Sequence, residues 1–417
     1  MTLVAQLIQI PFFLKYWGKE SYGDWIVLTG LPMMLVLLDL GVAQASANRA
    51  TVWAGANKWV EVKCSLQTSF VFTYLLGVLI VALSIVLNKY VSWSELLKLR
   101  TIAEADSGKV IFYMCIYLSL SLVGGPIDAW FRVIDKAPLG AFLISNRRLI
   151  DVGVSIILLI IGTTMVQIAG FLAITTLIST IVLIFFAKHY SPLPLFGIKS
   201  ASWSEFKSIL KPSLAYASIP LSQTMTLQGS IQMLNQLAGA PVVVSYVMAR
   251  TLMRLIIQFG VVANNALKPE ISRMAGQDRM KSAYEFTLKI SKILIFFSVC
   301  AYIAIVFCGS WIVQMWSGGV VDIDKYNLAA IGMHTVLNLS WFVPAALLIA
   351  TNKNNSISAA YALTSGGALI LWIFYPTAFA PVIAASFLMA FPELVVTIIF
   401  WSKFKMSKRY ENSDSGS

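Results

Sequence analysis

The chain has 417 residues, of which 58% are hydrophobic and only 12% are charged. A soluble core cannot hide this much apolar sequence, so the composition excludes an ordinary soluble protein and predicts an all-α, polytopic membrane protein. The net charge of +12 would indicate nucleic-acid binding in a soluble protein. In a membrane protein its distribution over the loops is the informative quantity, and we expect no nucleic-acid partner.

Apolar segments follow one another along the chain and predict about twelve transmembrane helices. They fall near residues 2–17, 24–46, 67–88, 110–131, 138–162, 166–187, 212–236, 242–267, 285–308, 328–350, 356–376 and 380–402. The fifth must begin near Ala137, because its purely apolar part is too short to cross about 30 Å of hydrocarbon. This start places Arg147 and Arg148 inside the membrane.

The longest polar connection, residues 189–211, divides the chain into two predicted six-helix lobes. The lobes are 1–188 and 212–402, and a basic and polar tail follows at 403–417. Shifting one half by 221 positions, the difference between 239 and 18, aligns Gly18 with Gly239 and Trp25 with Tyr246. Six helices in each half keep both halves in one orientation, so we expect a pseudo-two-fold repeat about the membrane normal.

The basic residues of the loops predict the orientation. If both termini are cytoplasmic, the inner loops, inner helix ends and tail carry twenty Lys and Arg residues, against six in the outer loops. Positive charge collects on the cytoplasmic side of membrane proteins. We therefore expect a multi-pass protein of the cell inner membrane with both termini in the cytoplasm.

Two arginine pairs lie at membrane depth: Arg147 with Arg148, and Arg250 with Arg254. An arginine near the centre of a membrane helix costs roughly 2.5–3.5 kcal/mol, so each must face a partner or water rather than lipid. Two interpretations stay open. The arginines pair with acids inside the bundle, as Arg147 would with Asp151 one turn away, or they line a polar cavity.

The seventh span carries a polar stripe, which consists of Thr224, Gln228, Gln232 and Gln236. A spacing of four keeps these side chains on one helix face, where lipid could not satisfy them. The stripe is predicted to line the same cavity. The alternative is hydrogen bonding between helices, which is worth only about 0.6 kcal/mol for each contact.

Two acids at membrane depth are candidates for ion coupling, Glu393 and Asp39. Burial in hydrocarbon favours the neutral carboxyl, so Glu393 is a candidate proton carrier. The alternative role, a counter-ion to Arg250 or Arg254, is favoured slightly. For Asp39 a salt bridge to a basic loop residue is the expected role, and Asp128 is expected to pair with Arg132.

No motif for a cofactor, a metal or ATP is present. The phosphate-binding pattern G-x-x-x-x-G-K-[ST] does not occur, so the sequence excludes ATP hydrolysis by this chain. With two histidines and four cysteines at no metal-binding spacing, we expect no metal site. No large extramembrane segment is present to hold a catalytic centre, so we expect a protein that is not an enzyme.

Several short runs resemble the bacterial polysaccharide flippases, the lipid-linked O-antigen exporters of the multidrug/oligosaccharidyl-lipid/polysaccharide superfamily. The runs are PFFLKYWG at 11–18, YGDW at 22–25, LDLG at 38–41, LAG at 237–239 and VSY at 244–246. The chain departs from the family at its N-terminus, where residues that usually precede the proline are missing. The resemblance implies a two-lobed transporter that moves an undecaprenyl-diphosphate-linked repeat unit, of O-antigen, capsule or exopolysaccharide, by alternating access.

The resemblance also implies roles for the polar residues. A diphosphate needs guanidinium groups that bind its oxygens in pairs, which the four arginines supply, and sugar hydroxyls need the amides of the stripe. The implied partners are the lipid-linked oligosaccharide, membrane lipids and other polysaccharide-assembly proteins. The alternatives are an ion-coupled multidrug exporter of the same superfamily, and an integral-membrane transferase or polymerase acting on the same lipid.

The orientation can be tested by reporter fusions. Fusions at Asn57, Lys207, Gln277 and Ser413 should report cytoplasm, and fusions at Ser94 and Asp322 should report periplasm. The charge bias fixes all sites together. Inverted results at two or more of them would therefore contradict the twelve-span model.

Overall fold

The computed structural model describes residues 2–191, 197–276, 279–345, 347, 355–375 and 380–414. Part of the predicted linker, residues 192–196, lies outside these ranges, as do the reporter site Gln277 and the ends of the tenth and eleventh predicted spans. All regular structure in the described residues is helical. The helices are α1 Thr2–Met34, α2 Val42–Gly55, α3 Trp59–Tyr90, α4 Trp93–Leu96, α5 Glu104–Val133, α6 Ala137–Ile161, α7 Met165–Tyr190, α8 Trp203–Ala238, α9 Ala240–Gly276, α10 Met280–Trp316, α11 Lys325–Phe342, α12 Asn355–Phe374 and α13 Pro381–Asp414.

The predicted spans fall on these helices, and the chain is an all-α, polytopic membrane protein. Six stretches are long and apolar enough to cross a membrane by length and composition alone: Trp59–Tyr90, Glu104–Val133, Met165–Tyr190, Ala240–Asn264, Lys281–Trp316 and Pro381–Ser402. Large apolar side chains such as Ile174 and Phe307 are exposed on them, as expected for surfaces that face lipid. Helix α6 begins at Ala137, which confirms the start predicted from the thickness of the hydrocarbon.

The helices group into two compact units. The first contains Met1–Thr224 and Gly239–Pro241, and the second contains Met225–Ala238 and Val242–Ser417. The boundary between the units falls inside α8, after Thr224. The division into lobes 1–188 and 212–402, joined by a linker at 189–211 and followed by a tail at 403–417, remains a sequence-based prediction.

Gly18 and Gly239, the two glycines aligned by the internal repeat, each form a one-residue turn. Both have the positive φ that glycine adopts without strain, 75° at Gly18 and 84° at Gly239. Phe13 and Trp25 flank the first turn with ring centroids 6.0 Å apart, whereas a straight helix would separate them by about 18 Å along its axis. The arms of α1 therefore pack against each other. The alignment of Gly18 with Gly239 is confirmed at the level of backbone conformation.

The second predicted span, 24–46, is not one continuous helix. Helix α1 contains Pro32 and ends at Met34, and a short 3₁₀ helix follows at Leu35–Asp39. Leu40 and Gly41 then take positive φ before α2 begins. A proline inside a helix removes the hydrogen bond to the carbonyl four residues earlier and weakens the turn before it. A Cβ at Gly41 would lie 2.8 Å from the carbonyl oxygen of Ser213, so a larger residue would not fit this bend.

In the first unit, α5 packs against α3 and α7, and α6 packs against α1 and α7. The connection before α8 is held on α3 by two backbone donors. Ser200 N donates to Gln67 Oε1 at 2.8 Å, and Ser202 N donates to Thr68 Oγ1 at 3.0 Å. Gln67 and Thr68 thus fix the connection before α8 against α3. In the second unit, α11 packs against α10 and α13, and α12 packs against α13.

Candidate functional site

In the first unit Arg147 contacts neutral partners on α5. Its Nη1 donates to Ser121 Oγ at 2.7 Å, and its guanidinium carbon lies 5.4 Å from the centre of the Tyr117 ring. Asp151, one turn further along α6, accepts instead from Tyr117 at 3.1 Å and from Thr175 at 2.9 Å. The suggested Arg147–Asp151 ion pair is therefore wrong. Asp151 accepts hydrogen bonds from Tyr117 on α5 and Thr175 on α7 and does not pair with Arg147 on its own helix.

Arg147 lines a cavity of about 460 Å³ between α5, α6 and α7. The cavity also contains Asp128 and Arg132, whose ion pair of 2.5 Å confirms the pairing expected from their spacing. Serine and threonine hydroxyls from all three helices complete its polar part, namely Ser121, Ser145 and Thr180. Arg148 is exposed on α6 and is absent from the lining of this cavity. Of the first arginine pair, the structure thus places Arg147 in a cavity.

In the second unit Arg250 is buried, with 9% of its surface exposed. Its Nη1 donates to the carbonyl oxygen of Leu227 at 3.3 Å, and its guanidinium lies 5.6 Å from the centre of the Tyr246 ring. Its Nε is buried and has no hydrogen-bond partner among the described residues. A buried guanidinium held by a carbonyl and an aromatic ring keeps its full positive charge.

Arg254 lies one turn further along α9 and is partly exposed. The polar stripe on α8 is also partly exposed along its length, at Thr224, Gln228, Gln232 and Gln236. Thr224 belongs to the first unit and the three glutamines to the second. The Oε1 atom of Gln228 is buried and accepts no hydrogen bond from the described residues. Buried amide oxygens nearly always have a donor, so Gln228 offers an acceptor site for a ligand or water.

Glu393 on α13 is buried and binds three neutral donors. Asn338 Nδ2 donates to its Oε1 at 3.0 Å, and the Tyr361 hydroxyl donates to the same oxygen at 2.8 Å. Trp341 Nε1 donates to Oε2 at 2.6 Å. Glu393 forms no ion pair with any residue that the structure describes, so its expected pairing with Arg250 or Arg254 is wrong. Three directional donors from α11 and α12 occupy the carboxylate instead.

The donor set around Glu393 accommodates both of its protonation states. The indole of Trp341 can only donate, so Oε2 must remain an acceptor. Asn338 and Tyr361 each carry an acceptor as well as a donor, so Oε1 can bear a proton and donate it to either of them. Sequence reasoning did not identify these partners. An asparagine and a tryptophan three residues apart within an apolar span were the available signal.

Asp39 ends the 3₁₀ helix, and its carboxylate faces the backbone N–H of Ala43 in the first turn of α2. It forms no ion pair within the described part of the chain, so the expected salt bridge to a basic loop residue is wrong. A carboxylate near a helix N-terminus is stabilised by the unpaired N–H groups and the helix dipole. Its Oδ1 is buried and unbonded, which leaves one oxygen available.

Metal ligands do not cluster in the described residues, where no group of three His, Cys, Asp or Glu side chains could hold an ion. The four cysteines, Cys64, Cys115, Cys300 and Cys308, are free thiols. The candidate site therefore consists of hydrogen-bonding and charged groups alone. Such groups can bind a ligand and move a proton.

No protein-family model matches the chain, and no curated protein matches it. Solved structures match over nearly its whole length. The inward-facing conformation of a multidrug resistance MATE family transporter of the MOP superfamily superposes with a TM-score of 0.73 at 14% identity, covering 98% of this chain and 94% of that one. The outward-facing conformation of such a transporter gives a TM-score of 0.59 at 13% identity, with coverages of 100% and 97%.

A third match is a MOP superfamily transporter from Pyrococcus furiosus, whose structure is described as having a binding pocket of reverse polarity that suggests a different function. It superposes with a TM-score of 0.55 at 13% identity and covers 97% of this chain and 95% of that one. At these identities the matches show the fold. The chain therefore has the two-lobed, all-helical fold of these transporters.

The hydrogen bonds of Glu393 predict how its variants fold. Glu393→Gln should accumulate in the membrane at close to the wild-type level, because its Oε1 accepts from Trp341 while its amide donates to Asn338 or Tyr361. Glu393→Ala should accumulate poorly and melt at a lower temperature. It leaves buried donors without an acceptor, at about 1–3 kcal/mol for each. Glu285→Gln, at an exposed acid of α10, is the control. Equal losses in the Gln and Ala variants would show that folding needs the charge itself.

Proposed function

We propose that the chain is a flippase that moves an undecaprenyl-diphosphate-linked oligosaccharide across the inner membrane by alternating access. The fold supports this proposal, because transporters that share it have been solved in both inward-facing and outward-facing conformations. The oligosaccharide is a repeat unit of O-antigen, capsule or exopolysaccharide. The protein performs no bond chemistry on it.

The observation that carries the proposal is that arginines at membrane depth have neutral partners. Arg147 binds a serine hydroxyl, and Arg250 binds a backbone carbonyl. An arginine held by a carboxylate would present little net charge to a ligand. These two keep theirs, and guanidinium groups bind the oxygens of phosphate in pairs. With Arg148 and Arg254 one residue and one turn away, respectively, they supply the cations that a diphosphate needs on its path.

The sugars of the substrate need a different set of groups. Hydroxyls both donate and accept hydrogen bonds, as amide side chains do. The stripe of Thr224, Gln228, Gln232 and Gln236 supplies a polar row along one helix, and the unbonded Oε1 of Gln228 supports its role. A row of this kind tolerates different sugars, because each contact is a single exchangeable hydrogen bond.

Energy for the cycle comes from an ion gradient in this proposal, with Glu393 as the proton carrier. Its three partners accept either protonation state, so a proton can be taken up and released without breaking the helix packing. Asp39 is the second candidate, since one of its carboxylate oxygens is unbonded. Each unit of pH difference across the membrane supplies about 1.4 kcal/mol for every proton moved.

The charge of the binding groups separates this proposal from a multidrug exporter. A cationic drug needs an acidic pocket, whereas Arg250, a buried guanidinium whose Nε is unbonded, would repel a cation. The transporter from Pyrococcus furiosus, with its pocket of reverse polarity, indicates that pocket charge differs between members of this fold. Membrane lipids and other polysaccharide-assembly proteins are the expected partners, at the cell inner membrane with both termini in the cytoplasm.

The arginines give the direct test of the substrate. In vesicles loaded with the purified chain, Arg250→Ala and Arg254→Ala should abolish flipping of a lipid-linked oligosaccharide, while Lys substitutions should restore only part of it. An ammonium cannot make the bidentate contact to phosphate. Arg279→Ala, at an exposed arginine outside the helices, is the control. Full flipping by the double alanine variant, or transport of cationic drugs instead of the lipid, would refute the proposed function.

The coupling is tested with the same vesicles under an imposed pH gradient. Wild-type flipping should accelerate when the outside is acidic, because Glu393 takes its proton there and releases it inside. Glu393→Gln should flip at a rate independent of the pH gradient, since its amide does not titrate near neutral pH. Asp39→Asn should keep the response. Loss of the response in Asp39→Asn alone would assign the proton to Asp39, and an unchanged response in both variants would exclude proton coupling by either acid.

A further inference from the structure

A groove runs along α5 and α7 in the first unit and has a polar part and an apolar part. The polar part is the cavity of about 460 Å³ that contains Arg147. The apolar part is a second cavity of about 370 Å³, lined by Tyr113, Gly170 and Leu177 among others. Leu120 lines both cavities, and the α7 wall passes from Leu177 in the apolar part to Thr180 in the polar part, so the two parts lie end to end along the same helices. We call this feature the α5–α7 groove.

The apolar part opens to the lipid. Three α7 residues on its wall are largely exposed, Phe171 at 45%, Ile174 at 51% and Leu177 at 45%. Both helices are long and apolar enough to cross the membrane. Exposed apolar side chains on such helices face hydrocarbon chains. A chain from the bilayer can therefore enter the groove sideways, without passing through water.

The polar part holds its arginine deep in the membrane. Arg147 donates to Ser121, which lies about 18 Å along the axis from the Val133 end of α5 and about 26 Å from its Glu104 end. The phosphate of a resident lipid stays at the membrane surface, about 15 Å from the centre of the hydrocarbon. A phosphate bound beside Ser121 therefore belongs to a lipid on its way across.

The charges of the polar part suit an anion. Near the Val133 end of α5, Asp128 and Arg132 form an ion pair, so their charges cancel. Arg147 is the remaining charge of the lining, and it contacts the hydroxyl of Ser121 and the ring of Tyr117. Ser145 and Thr180 add donors that can bind phosphate oxygens.

We propose that the α5–α7 groove binds the lipid anchor of the substrate, with the diphosphate at Arg147 and Ser121 and the isoprenoid chain in the apolar part. This inference rests on the proposed function. The inference adds that the isoprenoid chain of the lipid stays against the outside of the first unit while the head group of the lipid crosses the membrane. One continuous site then recognises both halves of the anchor.

A neighbouring cavity provides an internal control. A groove of about 410 Å³ between α3 and α5 is also apolar, and Ala82 lies on its wall. It touches the α5–α7 groove at Ile116 and Leu120. Leu120 also borders the polar cavity, but the second groove contains no residue of α7, whose Thr180 and Leu183 continue the wall of the α5–α7 groove beside Arg147.

The test is binding of undecaprenyl diphosphate to the purified full-length chain, measured by native mass spectrometry beside inorganic diphosphate and phosphatidylglycerol. Gly170→Phe fills the apolar part. The Gly170→Ala side chain would only contact Tyr113 ring carbons at 3.8–3.9 Å, so that variant should bind like wild type. Displacing about two CH₂ groups from apolar surface already weakens binding about tenfold, and Gly170→Phe should lose at least that much. Ala82→Phe should lose nothing, and Arg147→Gln should weaken both diphosphates.

Unchanged inorganic diphosphate binding in Gly170→Phe shows that the variant is folded. If Gly170→Phe and Ala82→Phe weaken binding of undecaprenyl diphosphate equally, the α5–α7 groove is not its site. Full competition by phosphatidylglycerol would also refute the proposal, because it would show a site for resident lipid. Flipping separates this inference from the proposed function. If Gly170→Phe flips the lipid-linked oligosaccharide normally, the binding role of the groove is refuted and the proposed function stands. If the wild-type chain binds undecaprenyl diphosphate through its isoprenoid tail but flips no lipid, the proposed function is refuted and the groove stands.

Discussion

A polar group at membrane depth has no water to bind, so another part of the chain must supply its partner. This constraint decides how the helices and their connections meet. Asp24, which is fully buried on α1, accepts from the backbone N–H groups of Arg100 and Thr101 at 3.0 and 2.8 Å and so fixes the connection before α5. Gln67 fixes the connection before α8 in the same way. Each buried polar side chain thereby specifies one arrangement of the elements around it.

The charged groups obey the same constraint with a particular choice of partner. Arg147, Arg250, Asp151 and Glu393 are held by hydroxyls, carbonyls, rings, amides or an indole rather than by an opposite charge. A buried ion pair is self-contained, and breaking it costs several kcal/mol. Neutral partners hold a side chain in place without cancelling its charge. Under the proposed function, this arrangement keeps the binding groups fixed in position while they can still attract a ligand.

Much of the fold could be predicted from the sequence, because thickness and periodicity act locally. The start of α6 at Ala137 followed from the length of its apolar part, and the internal repeat aligned Gly18 with Gly239 without predicting that each forms a turn. The break at Leu35–Gly41 was missed. A proline near the end of an apolar run does not reveal that Ser213, far along the chain, approaches Gly41.

The candidate site was less predictable, because its pairings join distant segments. Spacing suggested Asp151 as the partner of Arg147, but Tyr117 and Thr175 reach Asp151 from other helices. Charge counting suggested an arginine for Glu393, but Asn338, Trp341 and Tyr361 bind it from positions 32–55 residues away. The Asp128–Arg132 pair was found because both residues lie on one turn of one helix. Local rules identify which residues are polar and deep, and the tertiary fold chooses their partners.

The turns at Gly18 and Gly239 also determine where the chain can be cut by a protease or can carry an inserted tag. A single residue joins two membrane helices at each, so no loop exists there for a protease to cut or for an epitope tag to extend. An insertion would have to push apart arms whose aromatic rings lie 5.2–6.0 Å from each other across Gly18. At Gly23 an added Cβ would meet the carbonyl oxygen of Ala240 at 2.5 Å. Labels and antibodies for this protein therefore belong on the longer connections around Ser94 and Asp322.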